Sequence, residues 1–191
     1  MVKRQKRSML VYYGAAVLIF LLSVFFDKQL ILFVTQLRTL ILDNVFTWGE
    51  WIFTKTLIFA VALAIIVVKN RKIVIPFVLS SFLSLVVVYV LKLVIGRVRP
   101  YLALNLPHVV QATNHSFPSG HAAIAFATVP FVFAAYRNAM VRWVWLALMV
   151  VIAFSRMYLG VHYLSDVLAG ALIGFGMSYG LLKAPVKKIF K

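Results

Sequence analysis

The sequence predicts an all-α membrane protein whose six transmembrane helices form one bundle, a single domain over residues 1–191. The first observation is composition: 64% of the residues are hydrophobic and the mean hydropathy is +1.00, whereas soluble domains contain roughly 45–50% apolar residues. The second is that apolar runs recur along the chain, as in proteins that cross a bilayer several times. The third is that Lys and Arg cluster between these runs, which is typical of loops that remain in the cytoplasm.

The first apolar run and the segment after it predict two different elements. The run follows four cations near the N-terminus and has no A-x-A-type cleavage pattern, so we expect a retained anchor rather than a signal peptide. Asp27 and Lys28 predict its end. Residues 29–44 place apolar side chains at helical spacing, which is typical of a short interfacial helix after the first span. A short buried helix is an alternative interpretation of the same pattern.

Further apolar runs predict the remaining helices of the bundle. Trp48, Glu50 and Trp51 resemble an interfacial anchor before the second span, and Lys55 is placed to extend toward the interface from its first turn. The six predicted spans are residues 9–26, 52–68, 73–95, 119–136, 143–154 and 163–182. In the last of these, the pairs Gly170-x-x-x-Gly174 and Gly176-x-x-x-Gly180 predict close packing against another helix, in preference to dimerisation.

The charges predict which side of the membrane each loop occupies. Six spans place both termini on the same side, and 13 of the 20 Lys and Arg residues fall on that side. The termini are therefore predicted to be cytoplasmic. All four acidic residues and all four histidines fall on the opposite side, as does the longest polar loop, residues 98–117, which we expect to cover a site as a lid.

Three polar stretches lie at the predicted outer ends of the spans. Isolated charge is costly within an apolar sequence and is usually functional there. The stretches are Lys92 to Pro100, Pro118 to His121, and Ser155 to Asp166. Because the ends of spans three to six meet on this side, we expect the three stretches to lie together.

Their residue types favour an anion site with a histidine that can act as a base or nucleophile. If a helix begins near His162, then Asp166, four residues on, lies on the same face and can hold one ring nitrogen. Several cations and the helix N-terminus at Ser119 supply donors for an anion, and phosphate is the best match to that density of donors. His108 and His115 are interpreted as ordinary loop residues. Arg97 is placed to contact either a lipid head group or solvent.

The three stretches together resemble the signature motifs of the type 2 phosphatidic acid phosphatase (PAP2) superfamily. All eleven fixed positions match, in the family's order and spacing. The matching motifs are Lys92-x6-Arg99-Pro100, Pro118-Ser119-Gly120-His121 and Ser155-Arg156-x5-His162-x3-Asp166. This resemblance is specific for the family and says little about the substrate.

The resemblance implies metal-independent hydrolysis of a lipid phosphate monoester or pyrophosphate through a phosphohistidine. By position, it assigns attack on phosphorus to His162, orientation of that ring to Asp166 and protonation of the leaving oxygen to His121. The residues implied to hold the phosphoryl oxygens are Lys92, Arg99, Ser119, Gly120 and Arg156. Polyprenyl pyrophosphate, phosphatidylglycerol phosphate and phosphatidate are the candidate substrates, with the active site at the outer face of the plasma membrane.

Several other functions are disfavoured or left as alternatives. The net charge of +16 is interpreted as a membrane-topology signal, so we expect no nucleic-acid partner. The absence of Cys and the scarcity of acids leave no thiolate ligand and no carboxylate cluster for Mg²⁺, so no cofactor or metal is expected. A phosphotransferase using the same histidine and a non-catalytic lipid-binding protein are the alternatives. The vanadate-dependent haloperoxidases have a similar anion site but are soluble. Oligomeric state is left open.

Overall fold

The protein is described by a computed structural model that covers residues 2–52, 55–107, 110–112 and 114–184. Every regular element in these residues is a helix, which confirms the predicted all-α class. The helices are α1 (Val2–Gln36), α2 (Leu40–Ile52), α3 (Lys55–Lys69), α4 (Val74–Ile95), α5 (Pro100–Ala103), α6 (Gly120–Ala135), α7 (Ala139–Tyr158) and α8 (Leu164–Lys183). A 3₁₀ turn, Arg71–Ile73, leads into α4.

Four helical stretches of the described chain are long and apolar enough to cross a membrane. They are Val17–Gln36 of α1, Arg71–Ala103 with α4 at its centre, α7 and α8. A fifth is obtained if α2 and α3 form one span bent by 67°. The 16 residues of α6 are apolar but fewer than the roughly 20 that a span usually needs. An integral membrane protein with four or five spans is therefore supported, and the count of six stays a prediction.

The first helix is longer than the sequence suggested. It continues through Asp27 to Gln36, so the predicted end at Asp27 and Lys28 is wrong. The carboxylate of Asp27 is only 4% exposed and accepts hydrogen bonds from Arg97 and Ser165. Because these partners compensate the buried charge, it does not have to reach water and the helix can continue past it. Residues 29–44 therefore belong partly to α1 and partly to α2, and their interfacial position stays a prediction.

The centre of the bundle is α6, against which α3, α4, α7 and α8 all pack. Eleven of its residues are buried, and most of them are small or apolar. These residues lie on all sides of the helix, so α6 lies in the interior of the bundle. The buried hydroxyl of Thr128 accepts a 2.8 Å hydrogen bond from the indole Nε1 of Trp145 on α7, so this polar atom has a partner within the core.

Two glycines of α8 allow the closest helix contact in the described structure. A Cβ added to Gly170 would lie 2.3 Å from the Ser119 carbonyl oxygen, and one added to Gly174 would lie 1.9 Å from that of Ala123. Only glycine allows α8 to approach the α6 backbone this closely, which confirms the packing predicted for this pair. The second pair differs, because a Cβ on Gly180 would meet nothing within 4 Å.

These contacts bring four helix ends together at one end of the bundle. The C-termini of α4 and α7 and the N-termini of α6 and α8 meet there, as the sequence predicted. The long connection between α4 and α6 crosses the same end and is tied to it through Ser116, whose N–H donates to the Arg97 carbonyl oxygen at 2.8 Å. The three polar stretches picked out in the sequence are thus brought together at one end of the bundle.

Candidate active site

The predicted pair of His162 and Asp166 is brought together at the start of α8. His162 lies in the connection between α7 and α8, and its imidazole Nδ1 is 3.6 Å from Asp166 Oδ2. The helix begins at Leu164, two residues later than expected, and Asp166 caps it by accepting a 2.9 Å hydrogen bond from the Tyr163 N–H. The carboxylate therefore faces the histidine as a helix-capping side chain, and not from the face of a helix that includes both residues.

The Asp166 carboxylate is completely buried and has partners on both oxygens. Oδ2 accepts a 2.5 Å hydrogen bond from the Ser116 hydroxyl, and Oδ1 accepts one of 2.7 Å from Arg97 Nη1. A buried carboxylate with this many donors is held in one orientation and in its charged form. It can therefore fix the position of the His162 ring.

His162 is neutral at physiological pH in this environment. Its side chain is 5% exposed, and burial lowers the pKa of His162 to about 4 even though Asp166 favours the protonated ring. The nearby cations Arg99 and Lys92 lower that pKa further. A neutral imidazole with Nδ1 toward a carboxylate has its Nε2 lone pair available for attack on an electrophile.

Arg99 lies on the Nε2 side of this ring, and both Arg99 and Lys92 contact the long connection. Arg99 Nη1 is 3.4 Å from His162 Nε2 and donates to the Val161 carbonyl oxygen at 2.8 Å, while its Nε donates to the Asn114 carbonyl oxygen at 2.7 Å. Lys92 Nζ donates to the carbonyl oxygens of His115 and Ser116. Both cations are thus held by backbone oxygens and line the same cavity as His162.

Arg156 is the third predicted cation and is only 2% exposed. Its guanidinium is paired with the carboxylate of Glu50 on α2 and donates to the Ser155 hydroxyl. The backbone of Arg156 also contributes to the site, because its carbonyl oxygen accepts a 3.2 Å hydrogen bond from the His162 N–H. One residue therefore supplies a buried cation and a support for the histidine.

The N-terminus of α6 forms the wall opposite His162. Ser119 is fully buried, and its hydroxyl caps the helix by accepting a hydrogen bond from the Ala122 N–H at 3.4 Å. Its own N–H donates to the Asp166 carbonyl oxygen at 2.9 Å, which joins the starts of α6 and α8. Gly120 and His121 follow in the first turn, where the helix dipole favours a negative charge.

A cavity of about 220 Å³ lies between these groups. Six of the eight predicted site residues line it: His162, His121, Lys92, Arg99, Gly120 and Arg156. The other two, Asp166 and Ser119, lie behind the lining and orient it. Among the described residues, no three His, Asp or Glu side chains are grouped so that they could hold a metal ion. The chemistry available is that of a neutral histidine facing a pocket of cations.

Several residues of this site were missed or misread from the sequence. Glu50 and Lys55 line the cavity, although they were interpreted as an interfacial anchor and an outward-reaching side chain. Arg97 was expected to contact a head group or solvent, but it pairs with Asp27 and Asp166 and stacks over the Tyr163 ring at 4.1 Å. A charge in an apolar sequence usually pairs with an opposite charge. Each of the few acidic residues of this chain therefore indicated a cationic partner.

The long connection between α4 and α6 also contributes residues to the site. It lines the cavity through residues 110–112 and Asn114, and its action as a lid stays a prediction. Asn114 and Ser116 have no fixed place in the signature motifs, and nothing in their local sequence identified them. His115 contributes its carbonyl oxygen, whereas His108 lies outside the described residues.

Comparison with known proteins agrees with this geometry. A sequence profile described as the PAP2 superfamily matches residues 53–190. The chain belongs to the PAP2 superfamily. Among curated relatives, the undecaprenyl-diphosphatase of Sulfolobus acidocaldarius is 32% identical over 137 residues, which cover 67% of this chain and 65% of that protein. The chain spans about half to two thirds of the length of the curated relatives it matches first.

Solved structures share the fold. The crystal structure of Aquifex aeolicus LpxE superposes with a TM-score of 0.75 at 26% identity, covering 83% of this chain and 95% of that one. The first transmembrane PAP2-type phosphatidylglycerolphosphate phosphatase from Bacillus subtilis superposes with a TM-score of 0.73 at 22% identity, covering 94% and 97%. The PAP2 arrangement therefore extends over nearly the whole chain.

Proposed function

We propose that this PAP2 protein is a lipid phosphatase that hydrolyses a phosphate monoester or pyrophosphate through a phosphohistidine on His162. The observation that carries the proposal is the orientation of the His162 ring. Nδ1 faces the buried Asp166, whereas Nε2 faces a cavity lined by Lys92, Arg99 and Arg156. A phosphoryl group is the substrate fragment that suits a nucleophile surrounded by cations and a helix N-terminus.

In the first step, His162 Nε2 attacks phosphorus in line with the leaving oxygen. A P–N bond forms as the P–O bond to the lipid breaks, and Asp166 stabilises the positive charge that develops on the ring. His121, which has to be in its protonated form at this point, gives a proton to the leaving oxygen and becomes neutral. The cations and the amides at the start of α6 stabilise the charge on the equatorial oxygens, which is the main requirement in phosphoryl transfer.

In the second step, water attacks the phosphohistidine. The new P–O bond forms as the P–N bond breaks, His121 accepts the proton from the water, and inorganic phosphate leaves. His162 returns to its neutral form, which is the form that burial favours. The protonation state of each histidine at the end is the one with which it began.

Binding of the phosphoryl group requires an exchange of partners at Arg156. Its guanidinium is paired with Glu50, so the anion has to displace this carboxylate or share the guanidinium with it. The exchange replaces one anion by another at the guanidinium, so the buried cation of Arg156 keeps a partner. Because Lys92, Arg99 and Arg156 supply the positive charge that a divalent ion provides in many phosphatases, we propose metal-independent turnover.

The alternative functions differ in the lipid substrate and in the acceptor of the phosphoryl group. Similarity to an undecaprenyl-diphosphatase supports a polyprenyl pyrophosphate, and phosphatidylglycerol phosphate and phosphatidate fit the same headgroup pocket. A phosphotransferase would pass the group from His162 to a second lipid instead of water. A non-catalytic lipid-binding protein would have no use for the buried pairing of His162 with Asp166.

The proposed setting is the plasma membrane, with both termini cytoplasmic, six spans and the cavity at the outer face. Support comes from the distribution of the cations and from α8, which begins at the cavity and ends at Lys183 in a basic segment. The six spans would be α1, α3, α4, α6, α7 and α8, with α6 shielded by its neighbours. The whole chain would act as one domain.

The deciding experiment measures phosphate release by the purified protein in detergent from a panel of lipid phosphates and pyrophosphates. We expect release without any added acceptor, no change of turnover in EDTA, and inhibition by vanadate, which mimics the five-coordinate phosphoryl group. Turnover that EDTA abolishes and Mg²⁺ restores would contradict the metal-independent mechanism. Release that requires a second lipid would favour the phosphotransferase.

A further inference from the structure

The network that supports the catalytic carboxylate continues beyond the signature motifs. Asp166 uses Oδ2 toward His162, Ser116 and the Tyr163 N–H, and it uses Oδ1 toward Arg97 at 2.7 Å. Arg97 therefore holds the far side of the carboxylate that orients the nucleophile. It is not one of the eleven fixed motif positions.

Arg97 in turn is held by α1. Its Nη2 donates to Asp27 Oδ2 at 2.8 Å, and its Nη1 donates to Asp166 Oδ1 and to the Ser165 hydroxyl, both at 2.7 Å. Asp27 also accepts a 2.9 Å hydrogen bond from the Ser165 N–H at the start of α8. Both carboxylates are buried, with side chains 5% and 0% exposed.

Asp27 lies outside the part of the chain that matches the superfamily profile, which begins at residue 53. The helix that carries Asp27 was predicted only to anchor the chain in the membrane. Nevertheless, its carboxylate forms a continuous chain of contacts through Arg97 and Asp166 to His162. The site therefore depends on a residue that the signature motifs do not include.

We propose that Asp27 and Arg97 are positioning residues for the phosphatase reaction, which orient Asp166 and balance its charge so that His162 is held for attack. This inference rests on the proposed function. Without Asp27, the positive charge of Arg97 would weaken the stabilisation that Asp166 gives to the positive charge developing on the His162 ring. The second carboxylate, Asp27, offsets that cation, and the planar fork of arginine bridges two carboxylates in a fixed geometry.

The charge balance at His162 includes groups from every helix that surrounds it. The titratable and charged groups around the ring are Asp166 of α8, Arg97 and Arg99 of the connection after α4, Lys92 of α4, Arg156 of α7, His121 of α6, Lys55 of α3 and Glu50 of α2. Asp27 of α1 adds a further charge through Arg97, and neither Asp27 nor Arg97 lines the cavity. Changing either alters the field at the His162–Asp166 pair without removing a phosphate contact.

The first expected result is a loss of kcat without a comparable change in KM. Arg97→Gln and Asp27→Asn should each lower kcat by about 10- to 100-fold, the loss typical when a partner that orients a functional histidine is removed. KM for phosphatidate in detergent micelles should stay within about threefold, because neither residue contacts the headgroup pocket. The amide introduced by Asp27→Asn retains an oxygen that can accept from the Ser165 N–H, so the helix contact is preserved.

The second expected result is a pair of opposite shifts in the acid limb of the kcat/KM profile. This limb reports protonation of the His162–Asp166 pair in the free enzyme. Arg97→Gln removes a cation, so the pair should protonate more readily and the limb should move to higher pH by about 1 unit. Asp27→Asn removes an anion, so the limb should move to lower pH. A purely structural role would not produce shifts of opposite sign.

Matched controls come from a second Arg–Asp pair near the end of α1. Arg38 Nε lies 3.1 Å from Asp43 Oδ1, and neither residue lines the cavity. Arg38→Gln and Asp43→Asn should leave kcat and the acid limb at wild-type values. Thermal unfolding in detergent checks that each variant is folded. If Arg97→Gln does not fold, Arg97→Lys replaces it: the charge is kept but the fork is lost, so kcat should fall while the limb stays in place.

The outcomes separate the two proposals. If the wild-type protein releases no phosphate from any lipid phosphate, the proposed function is wrong and the positioning role with it. If the wild type is active but folded Asp27 and Arg97 variants behave like the Arg38 and Asp43 controls, the positioning role alone is overturned. Lower kcat in both variants with limbs that move in the same direction would also overturn it. Lower kcat with opposite shifts supports it.

Discussion

At the residue scale, the site contains two histidines whose surroundings differ. His162 is almost completely buried and faces a carboxylate, whereas His121 is half-buried in the first turn of α6 and lines the open cavity. In the proposed mechanism, His162 attacks phosphorus and His121 protonates the leaving oxygen.

His162→Ala should abolish turnover. The variant lacks the nucleophile, so the rate should fall by more than the roughly 10²- to 10⁴-fold that loss of acid–base assistance costs alone. Rapid quenching without acid, after incubation with ³²P-labelled phosphatidate, should trap label on the wild-type protein and none on the variant. Label on folded His162→Ala would contradict the phosphohistidine.

His121→Ala should be selective for the leaving group. An aryl phosphate or a pyrophosphate departs with its charge already stabilised, whereas an alkyl phosphate needs the proton that His121 supplies. We therefore expect the variant to lose far less kcat on p-nitrophenyl phosphate than on phosphatidate, compared with the wild type. Equal losses on the two substrates would show that His121 does not act as the general acid.

The meeting of the eight predicted site residues at one end of the bundle followed from their places near the ends of the predicted spans, whereas their roles stay a proposal. His162 and Asp166, for example, are four residues apart and meet across one helix start. The supporting residues were not predictable in this way. Asp27, Glu50 and Ser116 reach the site from separate segments, so their positions depend on tertiary packing that no local pattern encodes.

At the element scale, the approach of α8 to α6 determines where the two helix starts lie. Gly170 and Gly174 allow contact with the backbone of α6, and the Ser119 N–H then reaches the carbonyl oxygen of Asp166. Glycine spacing predicted this contact for one pair. The same spacing in Gly176 and Gly180 predicted a second close contact, but a Cβ added to Gly180 would meet nothing within 4 Å.

Gly174→Ala should destabilise the bundle and impair the site. Its Cβ would lie 1.9 Å from the Ala123 carbonyl oxygen, so the two helices would have to separate, at a typical cost of about 1–3 kcal/mol for overpacking. Thermal unfolding in detergent should show a lower midpoint and phosphate release should fall. Gly180→Ala is the matched control on the same helix, and we expect its midpoint to stay unchanged or rise slightly. An unchanged midpoint for Gly174→Ala would contradict the close packing.

The helix α1 shows how tertiary contacts can override a local signal. A charged pair after a run of apolar residues ordinarily predicts the end of a span, and Asp27 with Lys28 has this appearance. The structure instead pairs Asp27 with Arg97, a residue 70 positions away, and the helix continues for nine more residues. Such a partner cannot be read from the sequence around Asp27.

At the scale of the whole molecule, the residues of the candidate site lie together at one end of the bundle. The cavity, the four converging helix ends and the connection between α4 and α6 all occupy that end. The basic loop at residues 69–72 follows α3, and α4 begins there and runs to the cavity, so this loop and the cavity lie at opposite ends of α4. A membrane around the bundle would therefore separate the loop from the active site.

The proposed orientation is tested by labelling introduced cysteines in intact cells. The chain contains no Cys, so each introduced thiol is the only one that can react. A cysteine at Asn105, exposed in the connection above the cavity, should react with a membrane-impermeant maleimide, and a cysteine at Asn70 should react only after the cells are permeabilised. The physical reason is that the predicted topology places 13 of the 20 cations on the side of Asn70, and loops rich in Lys and Arg usually stay in the cytoplasm. Phosphate release by both variants would verify that each is folded, and the reverse labelling pattern would place the active site on the cytoplasmic face.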